Sequence, residues 1–389
     1  MEKRQLLLDL VPKPPDWSID WTKIQDSPVS PWIAQMKTIP QNPVWHGEGD
    51  VWTHTCMVCQ ELTAMPVWRM ADRRRQEALF LAALLHDIGK IPCTRMEAGS
   101  WISPNHSAVG SRMAREILWL TFGFCGNPDV QSFRETICSL IRYHSLPIHI
   151  LEHEEPDRCA IKTASEGKLA RDFSLWMLWI LALADMRGRI CGDREEALEA
   201  VELFRVQAEE AGCLEAPYVF PDSCSEYAYL SGKKIRPGQG FFDDSWGEAI
   251  LLSGLPGTGK DTWISAHADG YPEISLDKIR EQMNISPRDN QAAVANAARE
   301  LAKNYLRKQI PFVWNATDLT AAIREKQIRL FTDYHASVRI VYLETEWEEE
   351  LKRNAGRQKA VPEAAIRDMM RKMTLPESFE AHRVQWHCV

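Results

Sequence analysis

From Val51 to about Ala211, apolar positions recur at helical spacing. The stretches TCMVCQELTAM (55–65), EALFLAALLHDI (77–88), SRMAREILWL (111–120), RETICSLIRYH (134–144), SLWMLWILALAD (174–185) and EEALEAVELFRVQAEE (195–210) each predict a helix. They predict a mostly α-helical first domain over 1–212, with its core at about 45–190. Residues 1–45 are rich in Pro and Trp and only weakly periodic. Residues 213–247 contain Pro217, Pro221, Pro237 and four glycines, and predict a connector lying over a surface. At 248 the pattern changes. EAILLSG, YPEIS, PFVWNAT and SVRIVYLET predict short buried strands separated by helical stretches. That alternation predicts an α/β domain over 248–389, built on a parallel sheet with right-handed crossovers.

Composition adds limits. With 389 residues, 45% hydrophobic and 26% charged, the chain is long enough for two or three globular domains. The longest apolar run, LWMLWILALA (175–184), is too short to span a bilayer and runs into Asp185, so it predicts a buried helix and no membrane partner. No basic, apolar signal segment opens the sequence, and the ten cysteines are scattered. The single C-x-x-C, Cys56 to Cys59, fits one face of a helix better than a zinc ribbon. Reduced thiols in a cytoplasm are the expectation. The net charge is −8, and residues 248–389 balance at 20 acids and 20 bases, so the whole excess lies before them. A nonspecific duplex binder carries a strong basic field, which is absent here. If the chain handles nucleic acid, it grips only a few phosphates near an end.

The first domain carries a metal-type constellation. LLHDIGK places His86 and Asp87 at the end of an apolar helix, where a carboxylate is costly without a compensating cation. His54, His106, His144 and Asp185 stand at other helical positions. Imidazole and carboxylate together suit a transition metal or Mn/Mg, and a bridging carboxylate can join a metal pair that activates water and clamps phosphate. Taken singly, each residue reads more readily as an ordinary core or surface side chain. The ordered set is what carries weight. WHGEGDVWTHT, LLHDIGK, HSAVGSRMAREIL and LADMRGR together resemble the HD-domain phosphohydrolases over roughly 45–190. The resemblance implies that His54, His86, Asp87 and Asp185 hold one metal. It implies that His106 and His144 hold a second, with Asp87 bridging. Lys90, three residues after Asp87, reads as a group reaching the scissile phosphate or as a helix-terminal lysine. Arg187 and Arg189 are further phosphate-contact candidates, and His46 and Glu48 candidate supports of the ligands.

The second domain carries a phosphate loop. SGLPGTGKDTW (253–263) lies between a predicted strand and a predicted helix, the context that the G-x-x-x-x-G-K-[ST] motif requires. Gly254, Leu255, Pro256, Gly257, Thr258, Gly259, Lys260, Asp261 and Thr262 form the candidate ATP-binding loop. Glycine freedom and a helix N-terminus turn backbone N–H groups toward phosphate, and Lys260 neutralises it. Asp261 occupies the Ser/Thr position. As a hard oxygen donor it can serve Mg²⁺, or it is simply an acid in a first helical turn. Thr262 is rotated about 100° round the helix and substitutes less well. After the second strand, Asp277 and Arg280 stand at a helix start, reading as a base and a phosphate contact or as an N-cap with a surface Arg. Thr345 and Glu348 have capping-box spacing. Arg353 and Arg357 follow on one face, reading as lid arginines or a solvated ladder with Glu349.

GLPGTGKD, SLDKIRE, a strand ending in NAT, and KRNAGRQKAVP together resemble the phage-type polynucleotide 5′-kinases over roughly 248–375. The resemblance implies Asp277 as general base, Arg280 on the phosphate next to the 5′ end, and Arg353 and Arg357 as lid residues. Two positions depart from the pattern: Asp261 for Ser/Thr, and Asn315 at a strand end where many such kinases carry Asp. The fold expected is multidomain, an N-terminal all-α HD domain followed by a C-terminal α/β P-loop kinase with a central parallel sheet and a helical lid. This pairing resembles the bacterial bifunctional end-healing enzymes. It implies a kinase using ATP or another NTP with Mg²⁺ on 5′-OH ends of RNA or DNA. It also implies a hydrolase acting on 3′-phosphate or 2′,3′-cyclic phosphate ends, with one or two divalent metals (Mn, Co, Ni, Cu or Zn), and a nucleic-acid ligase as functional partner. Two alternatives stand beside it: a nucleotide phosphohydrolase fused to a nucleoside-type kinase, and an ATP-switched binding module.

Overall fold

The computed structural model describes residues 2–286, 289–357 and 359–389. The chain divides into two compact units, Met1–Phe124 with Asp129–Tyr218, and Cys125–Pro128 with Val219–Val389.

The first unit is helical. Its principal helices are α1 (Val51–Ala64), α2 (Arg73–Leu85), α3 (His106–Glu116), α4 (Pro128–Tyr143), α5 (Leu175–Arg187) and α6 (Arg194–Glu210). Side-chain oxygens set three of the starts: Asp50 accepts from Thr53 N, Asp72 from Arg75 N, and Ser174 from Met177 N. Along α2 every residue from Ala78 to Leu85 is buried, and along α5 nearly all are, so both are central helices apolar on all sides. Cys56 and Cys59 both lie on α1, and none of the ten cysteines is in a disulfide. The Trp-rich N-terminal segment forms short helices and lays Trp17 and Trp21 edge-on against Trp68 and Trp52. Among the described residues no helix is long and apolar enough to cross a membrane.

The second unit is a five-stranded parallel sheet: β1 (Glu248–Ser253), β2 (Glu273–Ser275), β3 (Phe312–Asn315), β4 (Ser337–Glu344) and β5 (Arg383–Cys388), in the order β2-β3-β1-β4-β5. β1, β3 and β4 are nearly continuous buried runs, as strands covered on both faces must be. On one face Ala298, Ala302 and Leu306 of α9 (Ala292–Arg307) and Ile328 and Phe331 of α10 (Ala321–Thr332) pack on the sheet. On the other lie Trp263 and Ile264 of α7 (Lys260–His267). The unit also contains α8 (Leu276–Gln282), α11 (Trp347–Ala355) and α12 (Glu363–Lys372). Its register puts Leu252, Ser275 and Asn315 level with one another at the strands' carboxyl ends, where ligands of open α/β sheets collect.

Three local expectations change. Residues 219–247 group with the second unit and include a helix, Ser223–Leu230, whose Tyr227 packs on the sheet core. RVQWHC forms the edge strand β5, which the half-polar alternation of its six residues concealed. The capping box does not form: Glu346 is the N-cap of α11, and the Thr345 hydroxyl donates instead to the Val389 carbonyl at 2.7 Å.

Candidate active sites

In the helical unit, four histidines from four segments turn one ring edge to a common point. His86 directs Nδ1 to the carbonyl of Ala83, His106 to that of Ser103 and His144 to that of Ile141, each three residues back and 2.7–2.8 Å away. These bonds assign the proton to Nδ1 and leave Nε2 as a lone-pair donor. The Nε2 atoms of His54 and His86 are 3.3 Å apart, as are those of His106 and His144. Asp87 lies between the two pairs. Its Oδ2 is 3.4 Å from His86 Nε2 and 3.7 Å from His54 Nε2, and its Oδ1 is 3.4 and 3.9 Å from Nε2 of His106 and His144. Asp185 Oδ1 is 3.0 Å from His54 Nε2. All six sequence-predicted ligands therefore converge.

The electrostatics fit a cation. Burial by itself would raise the Asp87 carboxyl, yet Lys90 and His86 hold it well below the usual carboxylate range. Burial, together with neighbouring His106 and His86, lowers His144 to about 3, and burial also lowers His106, so both rings are neutral. Asp87 Oδ1 is buried without a hydrogen-bond partner while facing those two rings. An orphaned buried carboxylate oxygen opposite two neutral imidazole lone pairs is the donor set of a divalent ion.

Lys90 is buried and its Nζ lies 2.8 Å from Asp87 Oδ2, donates to Gln41 Oε1 at 2.6 Å and stands 3.4 Å from His46 Nε2. Gln41 was invisible in the sequence because its loop carries no periodic signal. Arg189 is engaged: its guanidinium holds Asp185 through Nη2–Oδ2 at 2.7 Å and Nε–Oδ1 at 3.2 Å, which supports that carboxylate beside His54. Arg187 is exposed, as a surface arginine.

In the second unit the loop 254–259 leaves β1 and enters α7 with positive φ at Gly254, Gly257 and Gly259. A Cβ at 254 would stand 2.5 Å from the Leu343 carbonyl, and one at 257 would stand 2.9 Å from the Glu350 carbonyl. Glycine is therefore required for packing as well as conformation. Lys260 Nζ donates to the carbonyls of Gly254 and Leu255, both at 2.8 Å, and burial lowers its pKa to about 8. Asp261 and Asn315, the two departures from the family pattern, are bonded to each other: Asn315 Nδ2 donates to Asp261 Oδ1 at 2.8 Å and to Glu273 Oε1 at 2.7 Å. The pair keeps one carboxylate and one neutral partner, but the carboxylate stands on the helix. Thr262 is exposed one residue on.

Asp277 is not an N-cap; Ser275 fills that position, accepting from Lys278 N at 3.3 Å. The exposed Asp277 carboxylate is paired with Arg280, and Arg357 Nη2 reaches its other oxygen at 3.6 Å. Arg353 pairs with Glu349 at 2.8 Å, and its Nη1 lies 3.8 Å from where a Cβ of residue 259 would stand. Thus Arg353 approaches the glycine loop and Arg357 approaches Asp277. Asn354, overlooked in the sequence, closes the segment behind them by bonding both backbone groups of Val361, Nδ2 to O at 2.7 Å and Oδ1 from N at 3.0 Å. Gln358 lies outside the described residues. Two buried acids at this site had no sequence signal: burial raises Asp318 to about 7 and Glu350 to about 8.

Comparison with known families agrees with this division. Residues 51–173 match the family described as HD domain, and residues 250–376 match the family described as AAA domain. The first match ends before Asp185, which the fold nevertheless brings beside His54.

Proposed function

We propose that this chain, an HD domain followed by a P-loop kinase-like domain, heals broken nucleic-acid strands at both ends: it phosphorylates 5′-OH ends and hydrolyses 3′-phosphate or 2′,3′-cyclic phosphate ends. The observation that carries the kinase half is the grouping of Asp277 with Arg280 and lid Arg357, beside a glycine loop approached by Arg353. A carboxylate bracketed by two guanidiniums is a base placed among phosphate-binding groups. In this reading Asp277 takes the proton of the 5′-hydroxyl as the hydroxyl oxygen attacks the γ-phosphorus, the bond from that phosphorus to the β–γ bridging oxygen breaks, and ADP leaves. Arg280 holds the adjacent phosphodiester. Lys260 leaves the loop carbonyls to neutralise the β- and γ-phosphates of ATP, and Arg353 and Arg357 stabilise charge on the transferring group. Asp261 is the carboxylate that would hold Mg²⁺, directly or through water.

In the HD domain His54, His86, Asp87 and Asp185 would hold one divalent ion and Asp87, His106 and His144 a second. Such ions supply an activated water and charge neutralisation at a phosphate. The chain's own contribution is to fix the ring tautomers, keep Asp87 ionised, and hold the Lys90 ammonium beside it, where it can meet a phosphate oxygen. A near-neutral second domain agrees with a protein that grips ends rather than lengths of duplex. A ligase would consume the healed ends, and a cytoplasmic setting suits ten cysteines that form no disulfide.

The test is one RNA oligonucleotide bearing a 5′-OH and a 2′,3′-cyclic phosphate, incubated with γ-labelled ATP and Mg²⁺, with and without Mn²⁺ or Co²⁺. Label at the 5′ end together with loss of the cyclic phosphate is expected. Label on mononucleosides with both oligonucleotide ends untouched would replace this reading with a small-molecule kinase. ATP binding without transfer would replace it with a switch.

A further inference from the structure

Three of the four clustered histidines anchor Nδ1 on a backbone carbonyl; His54 does not. Among the described residues its buried Nδ1 makes no hydrogen bond of regular geometry, and Glu48 Oε1 lies 3.0 Å from it. Glu48 is itself almost wholly buried. Its Oε1 also receives His46 Nδ1 at 2.8 Å, and its Oε2 accepts from the backbone N–H of Ile190 at 3.0 Å. Ile190 directly follows Arg189, which grips Asp185. The Ile190 carbonyl accepts from Gly47 N at 2.8 Å, which locks the Glu48 loop to the end of α5. One carboxylate thus joins His46, His54 and the segment behind Asp185.

We propose that Glu48 is a positioning residue of the metal centre, holding His54 in the Nδ1–H form so that Nε2 faces Asp185, His86 and Asp87 as a ligand. A carboxylate behind a ligating imidazole fixes the tautomer and raises its donor strength, and removal of such a group typically weakens metal affinity about 10–100-fold. Through His46, whose Nε2 stands 3.4 Å from Lys90 Nζ, the same carboxylate orients a neighbour of the ammonium that holds Asp87. Glu48 touches no reacting atom and acts only through the rings it orients. The inference rests on reading the cluster as a metal centre and is independent of which phosphoester is cleaved.

The experiment is a Co²⁺ titration of full-length wild type and Glu48→Gln, read by the visible absorption of bound Co²⁺, beside ¹⁵N correlation spectra of the histidine rings in Zn²⁺-loaded protein. Gln keeps the volume but turns an N–H₂ toward a ring N–H or the Ile190 N–H. Expected are a 10–100-fold weaker Co²⁺ affinity in Glu48→Gln and, in wild type, a His54 ring protonated at Nδ1 alone. Equal affinities in two folded proteins, or a wild-type His54 protonated at Nε2, would overturn the proposal. No Co²⁺ uptake by wild type would remove the metal centre itself, a failure distinguishable from the others. If Glu48→Gln does not fold, the wild-type ring spectrum alone decides.

Discussion

Asp87 concentrates more of the helical unit's chemistry than any other residue. Its two oxygens face different histidine pairs, so its loss takes a donor from both. Asp87→Ala is therefore expected to lower hydrolase turnover by roughly a thousandfold or more, the scale of several kcal/mol of charge stabilisation at phosphate. A steady-state assay on a cyclic-phosphate end would read it, with unchanged ATP-dependent labelling as the control. In the other unit the informative residues are Asp261 and Asn315. Their direct bond at 2.8 Å makes them one device. Asp261→Ser alone should retain partial Mg²⁺-dependent transfer, and adding Asn315→Asp, which returns the carboxylate to the strand end, should recover most of what was lost. If Asp261→Ala leaves the ATP and Mg²⁺ dependence of the initial rate unaltered, Asp261 serves only as an acid in the first turn of α7.

At the scale of elements, close backbone approach decides whether the centres assemble. A Cβ on Gly89 would lie 2.0 Å from the His106 carbonyl and 2.5 Å from the Gly110 amide nitrogen, both backbone of α3. Neither can move as a side-chain tip can. Gly89→Ala must push α3 away from the turn that carries Asp87, taking His106 with it. The expected outcome is loss of about half the bound metal, measured by elemental analysis of the purified protein, and a fall in melting temperature. The lid obeys a different rule. Asn354 holds Val361 through two backbone bonds, so the segment bearing Arg357 is closed by one amide side chain. Asn354→Ala should slow phosphate transfer through Arg357 by about 10-fold or more while leaving hydrolysis untouched, and single-turnover labelling of a 5′-OH end would show it.

At the scale of the whole molecule, the two units carry separate machinery. Lys260→Ala or Asp277→Ala should abolish phosphate transfer and spare the hydrolase, the converse of Asp87→Ala. Loss of both activities in any folded variant would sink the two-site reading. The second unit also has a stability signature. Glu350 and Asp318 titrate near 8 and near 7 when folded, against 4.5 and 3.8 for the free side chains, because burial penalises their charged forms. The native state then holds protons that the unfolded chain has released. Their contribution is complete below about pH 4 and is lost progressively as pH rises from there to about 8. Thermal scans should show the kinase unit weakening over that range. Glu350→Gln should flatten the dependence and raise the melting temperature at pH 8 by about 5 °C. A flat wild-type profile would mean that both acids are ionised and paired.

What the sequence determined by itself was periodicity and local chemistry. Helical spacing from 51 to 210 and short apolar runs from 248 were enough for a helical domain followed by a parallel α/β domain, because burial of one face writes itself into residue order. The ordered histidines and aspartates, the glycine loop and the spaced pair Arg353 and Arg357 were likewise legible, since each is a residue type at a fixed spacing. Tertiary structure decided which polar groups are already committed. Arg189 read as a surface arginine or a phosphate-contact candidate and is bound to Asp185; Asp261 and Asn315 looked like unrelated departures and are hydrogen-bonded partners. Gln41 and Asn354 act through contacts between distant segments or across an irregular turn, where no period exists to register them, and Glu48, legible only as a candidate support, finds its partners His46, His54 and Ile190 in the fold. Burial, which moves Asp318 and Glu350 from ordinary acids to neutral ones, depends on how every neighbour packs, and only the folded chain supplies it.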